Sequence, residues 1–283
     1  MNSTSHDAYF ADNAANWDER ARLHEESGYG IAELLADPTA ISPELAQDVD
    51  RLGDLSRLDV IHLQCHLGTD TIGFSRLGAA RVVGVDLSGE SLRRARSIAE
   101  RAGVEVEYVE SNVYDARAAV QGDFDLVYTS IGVLSWLPDI RRWAQVVASL
   151  MRPGARFFVR DDHPMFLAVG DDTSNGLVLT DPYFECEEPL TWESEESYVP
   201  RGEGVAPLAS TRNHSWNHSL GEVVTSLIEA GLVIDSLEET RESAWARWPD
   251  LMERGEDCAF RLKDTPDVLP FAFIIRAHRP QTR

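Results

Sequence analysis

Residues 58–86 read LDVIHLQCHLGTDTIGFSRLGAARVVGVD, and their pattern sets the fold class. Two short apolar runs, 58–63 and 81–86, flank an amphipathic stretch over 68–77 that Gly78 stops. Runs of this length, rich in Val and Ile, suit strands buried on both faces, and a glycine just past a helix accepts the left-handed terminal conformation. Strand, helix and strand in that order make a βαβ unit with parallel strands.

The alternation continues in both directions. It predicts a helix through 91–102 ended by Gly103, strands over 104–109 and 124–129, and a helix carrying Trp143, Val146, Val147 and Leu150 at 3.6-residue spacing. Pro153-Gly154 then turns the chain into a fifth strand over 156–160. Ser219-Leu220-Gly221-Glu222 forms a capping box, in which Ser and Glu satisfy each other's orphan amides, before a helix with Val223, Leu227 and Ile228. Strands over 232–237 and 269–277 complete the pattern. Residues 163–217 hold turn residues, acids and aromatics without a clear helical period, as expected of a lid built partly of strands. The expected organisation is α/β: a doubly wound, seven-stranded, mainly parallel sheet. A helical cap over 1–50 precedes a core over 51–162, an inserted lid over 163–217 and the rest of the core over 218–283.

The net charge of -22 argues against nucleic acid, because phosphate contacts need clustered cations. Cys65, Cys186 and Cys258 lack paired spacing, which suits a reducing cytoplasm better than a disulfide framework or a zinc site. Residues 1–10 lack the basic and apolar runs of a signal peptide, and no segment has the apolar length of a membrane helix. The sequence leaves the oligomeric state open.

Ligands of such sheets sit beyond the carboxyl ends of the strands, where the chain direction reverses. After strand one come Gln64, Cys65, His66, Leu67 and Gly68. Asp86 closes strand two, where a carboxylate can accept both hydroxyls of a ribose; Asn112 and Val113 follow strand three, and Ser130 follows strand four. The segments Val83-Gly84-Val85-Asp86, Phe124-Asp125-Leu126-Val127-Tyr128 and Leu150-Met151-Arg152-Pro153-Gly154, at these intervals, resemble the class I S-adenosylmethionine-dependent methyltransferases. The resemblance is close over 58–160 and holds in outline over 218–278. It implies a last strand running antiparallel, S-adenosylmethionine as cofactor across the ends of strands one to four, and transfer of a methyl group to a small molecule.

The family's first loop reads acidic residue, any, Gly, any, Gly, any, Gly; here those places hold His62, Gln64, His66 and Gly68. Gln64 and His66 are therefore expected against the methionine part, Gly68 where backbone approaches the cofactor, Asp86 on the ribose, and Leu87, Asn112 and Val113 by the adenine, with Ser130 completing the set. His62 supplies no carboxylate for the cofactor's ammonium, so another acceptor is required. Each residue also has a plainer reading: Asp86 as a helix cap, Gly68 and Asn112 as turn residues, Gln64 and His66 as space fillers. For the base that removes an acceptor proton, a pKa near neutrality favours histidine. His163 after strand five is the first choice, followed by His218 and His214, against structural hydrogen bonding for each. Trp17, Tyr29, His163 and Trp216 are expected to line the acceptor. Asp161, Asp162 and His163 lack the companion ligands of the metal-dependent catechol-type enzymes, so no metal is expected. A nicotinamide oxidoreductase and a non-catalytic binding protein are the alternatives, the first weakened by the missing glycines.

Overall fold

The computed structural model describes residues 3–27 and 29–281. Three helices open the chain: α1 (Ser3–Glu26), α2 (Ile31–Ala36) and α3 (Pro43–Leu52). The alternating region follows as β1 (Asp59–Leu63), α4 (Thr69–Arg76), β2 (Arg81–Asp86), α5 (Gly89–Ala102), β3 (Glu107–Glu110), α6 (Ala116–Ala119), β4 (Phe124–Ser130), α7 (Ile140–Leu150) and β5 (Met151–Asp162). After it come α8 (Pro164–Ala168), β6 (Leu190–Glu193), β7 (Arg212–Ser215), α9 (Leu220–Glu229), β8 (Val233–Thr240), β9 (Met252–Arg254), β10 (Phe260–Leu262) and β11 (Ala272–His278).

Seven strands form one sheet in the order β3-β2-β1-β4-β5-β11-β8. Only β11 is reversed, pairing antiparallel with β5 and β8. Alternate residues of a strand face opposite sides, so each strand feeds two cores. Ile61, Val83, Val127 and Phe157 pack under α7 and α9, whereas Val60, Val82, Leu126 and Phe158 pack under α3 and α4. Trp143 of α7 is fully buried and meets Phe157 edge-on, with centroids 5.7 Å apart. Burial of such a side chain contributes about 1.5–3 kcal/mol. The direction change lies between β1 and β4, which places the ligand-binding edge at the tips of these strands and their neighbours.

The strand limits differ from the sequence reading at four strands, two of them late in the chain: β8 runs on to Thr240 and β11 begins at Ala272. β3 begins at Glu107, and β5 begins at Met151 because a register shift against β4 absorbs Pro153-Gly154 within the strand. Inside 163–217, β6 and β7 pair antiparallel, and α8 is an additional helix too short to show a period. The β9–β10 hairpin was also not foreseen; with α8 it encloses a satellite core of Phe166, Val169, Trp248, Met252, Leu262 and Phe271. Half of the expected capping box forms. Ser219 Oγ accepts the Glu222 amide at 3.2 Å, but the Glu222 carboxylate gathers with Glu185 and His218 instead of returning to Ser219.

Helix α1 closes over the sheet tips. Asp18 accepts the Ser88 hydroxyl (2.6 Å) at the start of α5, Glu25 pairs with Arg94 (2.5 Å), and Asn13 bonds both the amide and the carbonyl of His214 in β7. Among the described residues no helix is long and apolar enough to cross a membrane.

Candidate active site

The loop after β1 has left-handed backbone at three alternate residues: Gln64 (φ 58°), His66 (φ 49°) and Gly68 (φ 69°). These are the places where the resembled family carries glycine. A side chain in this region costs about 1–2 kcal/mol, so the loop keeps the glycine conformation at a cost that local bonds offset. The Cys65 amide donates to Val85 O (3.0 Å), the Gly68 amide to Cys65 O (2.8 Å), and the His66 amide to Asp86 Oδ2 (2.7 Å). Gln64 Nε2 donates to Val133 O at 3.0 Å, while its buried Oε1 has no hydrogen-bond partner.

Glycine at 68 is required twice over. Its φ is positive, and an added Cβ would lie 2.3 Å from the Tyr108 hydroxyl. Gly68→Ala is therefore expected to destabilise the protein by about 2–4 kcal/mol, combining left-handed strain with overpacking. A lower urea midpoint, partly restored by adding Tyr108→Phe, is the expected result; an unchanged midpoint would refute the close packing.

Asp86 sits at the tip of β2, between the first loop and α5. Its Oδ1 accepts the Ser88 amide at 2.9 Å, and burial pushes its carboxyl up to about 6. Leu87 beside it is half-buried. Asn112 caps the turn after β3 through the Tyr114 amide (3.1 Å), and Val113 is buried behind it. Ser111 N donates to Asp86 O, which joins the tips of β2 and β3. Ser130 at the tip of β4 donates to Asp70 Oδ2 at 3.3 Å, so it faces α4.

Aromatic rings cover the first loop. His66 Nε2 lies 2.8 Å from His24 Nδ1, and its Nδ1 lies 3.0 Å from Ser91 Oγ. Burial lowers His66 to about 3 and drives His24 well down, so both rings are neutral. Trp17 meets His66 and Trp136 edge-on at 5.1 and 5.4 Å, and Tyr29 stacks on His24 at 5.0 Å. Trp17 and Tyr29 thus belong to the roof of the first loop, whereas Trp216 and His163 lie elsewhere. Sequence reasoning missed Arg20 in this roof. It is 5% exposed, bonds Asn16 and Ser197, and has no carboxylate partner among the described residues.

A second cluster forms where β5 ends. Asp161 accepts the amides of Gly132, Val133 and Leu134, fixing the loop after β4. Asp162 Oδ2 accepts Trp245 Nε1 at 3.2 Å; its buried Oδ1 has no hydrogen-bond partner. Burial, with Asp161 adjacent, pushes Asp162 up to about 7. Asp162 lines a narrow hollow with Leu134, Ser135, Trp216, Asn217, His218 and Phe273. The two clusters share one loop, since Gln64 holds Val133 on one side and Asp161 holds it on the other.

The histidines behave differently from the expectation. His163 caps α8 by accepting the Met165 amide at Nδ1 (3.0 Å), and its Nε2 meets Glu239 (2.9 Å). With both nitrogens engaged, His163 has none free to act as a base. His214 is likewise occupied, by Thr191 and Asp12. His218 spends Nε2 on Leu137 O (2.7 Å) and keeps Nδ1 without a hydrogen bond.

Residues 60–154, from β1 into β5, match the family described as methyltransferase domain. Over this third of the chain the sequence is similar to that family. The match contains all eight expected cofactor residues and the loop after β4, whereas Asp161 and Asp162 lie beyond it. The ubiquinone biosynthesis O-methyltransferase of Cronobacter sakazakii is 35% identical over 109 residues, 38% of this chain and 44% of that protein. The methyltransferase phqN of Penicillium fellutanum is 24% identical over 182 residues, 64% of this chain and 47% of that protein. The chain thus spans just under half the length of these curated relatives. A putative S-adenosylmethionine-dependent methyltransferase from Listeria monocytogenes shares the fold, with a TM-score of 0.58 and 19% identity over 84% of this chain and 97% of that one. The glycopeptide N-methyltransferase MtfA, solved with S-adenosylhomocysteine, has a TM-score of 0.52 at 16% identity, over 84% and 89% of the two chains. Among the described residues the half of the sheet beyond β4 has β11 reversed, so it does not repeat the parallel mononucleotide half formed by β1, β2 and β3.

Proposed function

We propose that the protein is an S-adenosylmethionine-dependent methyltransferase whose acceptor is a small molecule held beside Asp162. The observation that carries this reading is the Asp86 carboxylate at the β2 tip, held against a loop that keeps the glycine-type backbone at Gln64, His66 and Gly68. The surrounding groups suit the cofactor part by part. Asp86 would accept the ribose hydroxyls, and Leu87, Asn112 and Val113 would meet the adenine. Gln64 Oε1, buried without a partner, offers an acceptor for the ammonium that His62 cannot hold. Arg20, a buried guanidinium without an acid, would meet the carboxylate. The rings of Trp17, His24, Tyr29 and His66 pack over this loop, so entry requires His66 to turn or α1 to shift.

When bound, the cofactor supplies an electrophilic methyl on a sulfonium and leaves as S-adenosylhomocysteine. The chain's own part is alignment and proton removal, and alignment of reacting atoms is worth about 7–11 kcal/mol at its best. Leu134, Trp216 and Phe273 give the hollow apolar walls; its volume is about 10 Å³, so an acceptor enters only if the loop after β4 or the insert moves aside. Asp162, with a carboxyl near 7 and a free oxygen, takes the proton of a hydroxyl, phenol or ammonium acceptor. His163 is reassigned to capping α8.

Incubating the purified protein with methyl-labelled S-adenosylmethionine and a low-mass cell extract tests the proposal. Label should appear in a low-mass product. Binding of S-adenosylhomocysteine without transfer would leave only a binding protein, and absence of both would overturn the reading.

A further inference from the structure

We propose a divalent transition-metal site, of zinc type, formed by Glu185, His218 and Glu222. One ligand atom from each residue lies within 4.8 Å of the other two. His218 Nδ1 and Glu185 Oε2 are 3.5 Å apart, close to the edge of about 3.4 Å that tetrahedral bonds of ~2.0–2.1 Å require. The remaining contraction falls on the Glu222 side chain, which has three rotatable bonds and is only partly buried.

The histidine points to a ligand independently of the acids. His218 is 4% exposed, and its Nε2 approaches the Leu137 carbonyl at 2.7 Å. A carbonyl can only accept, so Nε2 carries a proton, and in the tautomer this selects the lone pair is at Nδ1. That lone pair has no hydrogen bond and faces two carboxylates, which are acceptors themselves. Acceptors converging in this way need a shared positive centre, either a metal ion or a proton, and the two make different predictions. Metal-binding histidines commonly donate the second ring N–H to a backbone carbonyl, which fixes tautomer and ring plane, and that arrangement is present here. Arg141, whose charge acts on Glu185 and Glu222, is paired with Glu229. One imidazole with two carboxylates suits zinc and its neighbours better than calcium or magnesium, which take oxygen ligands throughout.

The site explains why half of the Ser219–Glu222 capping box is missing, since the carboxylate is turned to His218 and Glu185. It would also join three segments around the acceptor hollow: the insert through Glu185, the start of α9 through Glu222, and the segment after β4 through Leu137. Its role is structural, because the ion would tie the insert to the core, and it stands whether or not methyl transfer occurs.

The test uses full-length protein stripped with a chelator and titrated with zinc chloride by calorimetry. The titration is run in about 1 M sodium chloride, where screening to ~3 Å removes diffuse binding to the acidic surface. The expected result is one ion per chain with a dissociation constant in the micromolar range or below, and a higher melting temperature with the ion. Glu185→Gln and Glu222→Gln, which keep side-chain volume, should each weaken binding at least about tenfold, as loss of a metal-site residue does. Cobalt(II) should give visible absorption bands that His218→Ala abolishes. Absence of saturable binding would overturn the proposal. So would wild-type affinity in both Gln variants, or a melting temperature unaffected by zinc.

Discussion

Replacing Asp162 with asparagine is expected to slow methyl transfer by about 10²–10⁴-fold, the usual contribution of a positioned general base. Affinity for S-adenosylhomocysteine should stay largely unchanged, because Asp162 lies on the far side of the loop after β4 from Asp86. The amide is close in volume and its carbonyl still accepts Trp245 Nε1, so the fold at β5 is kept. The pH profile separates a base from a structural acid. With a carboxyl near 7, the wild-type rate falls about tenfold per pH unit below that value and levels off above it; the variant loses this inflection. The contrasting variant is His163→Ala. His163 caps α8, so its loss should cost about 1 kcal/mol of stability and leave turnover nearly intact. An Asp162→Asn enzyme with full turnover, or one that keeps the inflection near 7, would remove Asp162 from the chemistry.

These two residues mark the limit of what the sequence can show. The sheet was readable because each core strand is a short apolar run and each helix repeats with its own period, and β11 was expected to be antiparallel from the family resemblance. Gly68 and Asp86 were readable for the same reason, since a strand tip is a local feature of the chain. Asp162 was legible only as an acid in a run of three. Its elevated carboxyl depends on burial, and its hydrogen bond comes from Trp245, far along the chain in an irregular segment. Arg20 is in the same position, as its hydroxyl partner Ser197 belongs to the insert. For His163 and His214 the sequence shows a ring but not the groups that occupy it. Met165, Glu239, Thr191 and Asp12 consume the nitrogens of His163 and His214, and no spacing rule connects those residues. The β9–β10 hairpin was hidden for a related reason: strands of three residues around Gly255 are too short to alternate visibly.

Asp86→Ala is expected to weaken S-adenosylhomocysteine binding by about 100-fold or more, since hydrogen bonds to a charged group contribute ~1.5–3 kcal/mol each and a ribose offers two hydroxyls. Part of that loss could arise indirectly, because the same carboxylate accepts the His66 and Ser88 amides that shape the loop. Asp86→Asn separates the two contributions: it keeps one acceptor oxygen for the backbone and gives up the charge. Protons give a sharper discrimination. Burial raises the free carboxyl to about 6, while two ribose hydroxyls bind its ionised form, with both oxygens free to accept, more strongly than the acid. Acidification below about 6 therefore favours the free folded protein and opposes the complex, so affinity should fall toward tenfold per pH unit there and be flat above. Near pH 6 the bound state should release a fraction of a proton, seen as a calorimetric heat that changes with the ionisation enthalpy of the buffer. In Asp86→Asn both the slope and the proton release should vanish. A wild-type affinity independent of pH between about 5 and 7 would mean that the nucleoside does not rest on this carboxylate, and the assignment of the β2 tip as the ribose site would fail with it.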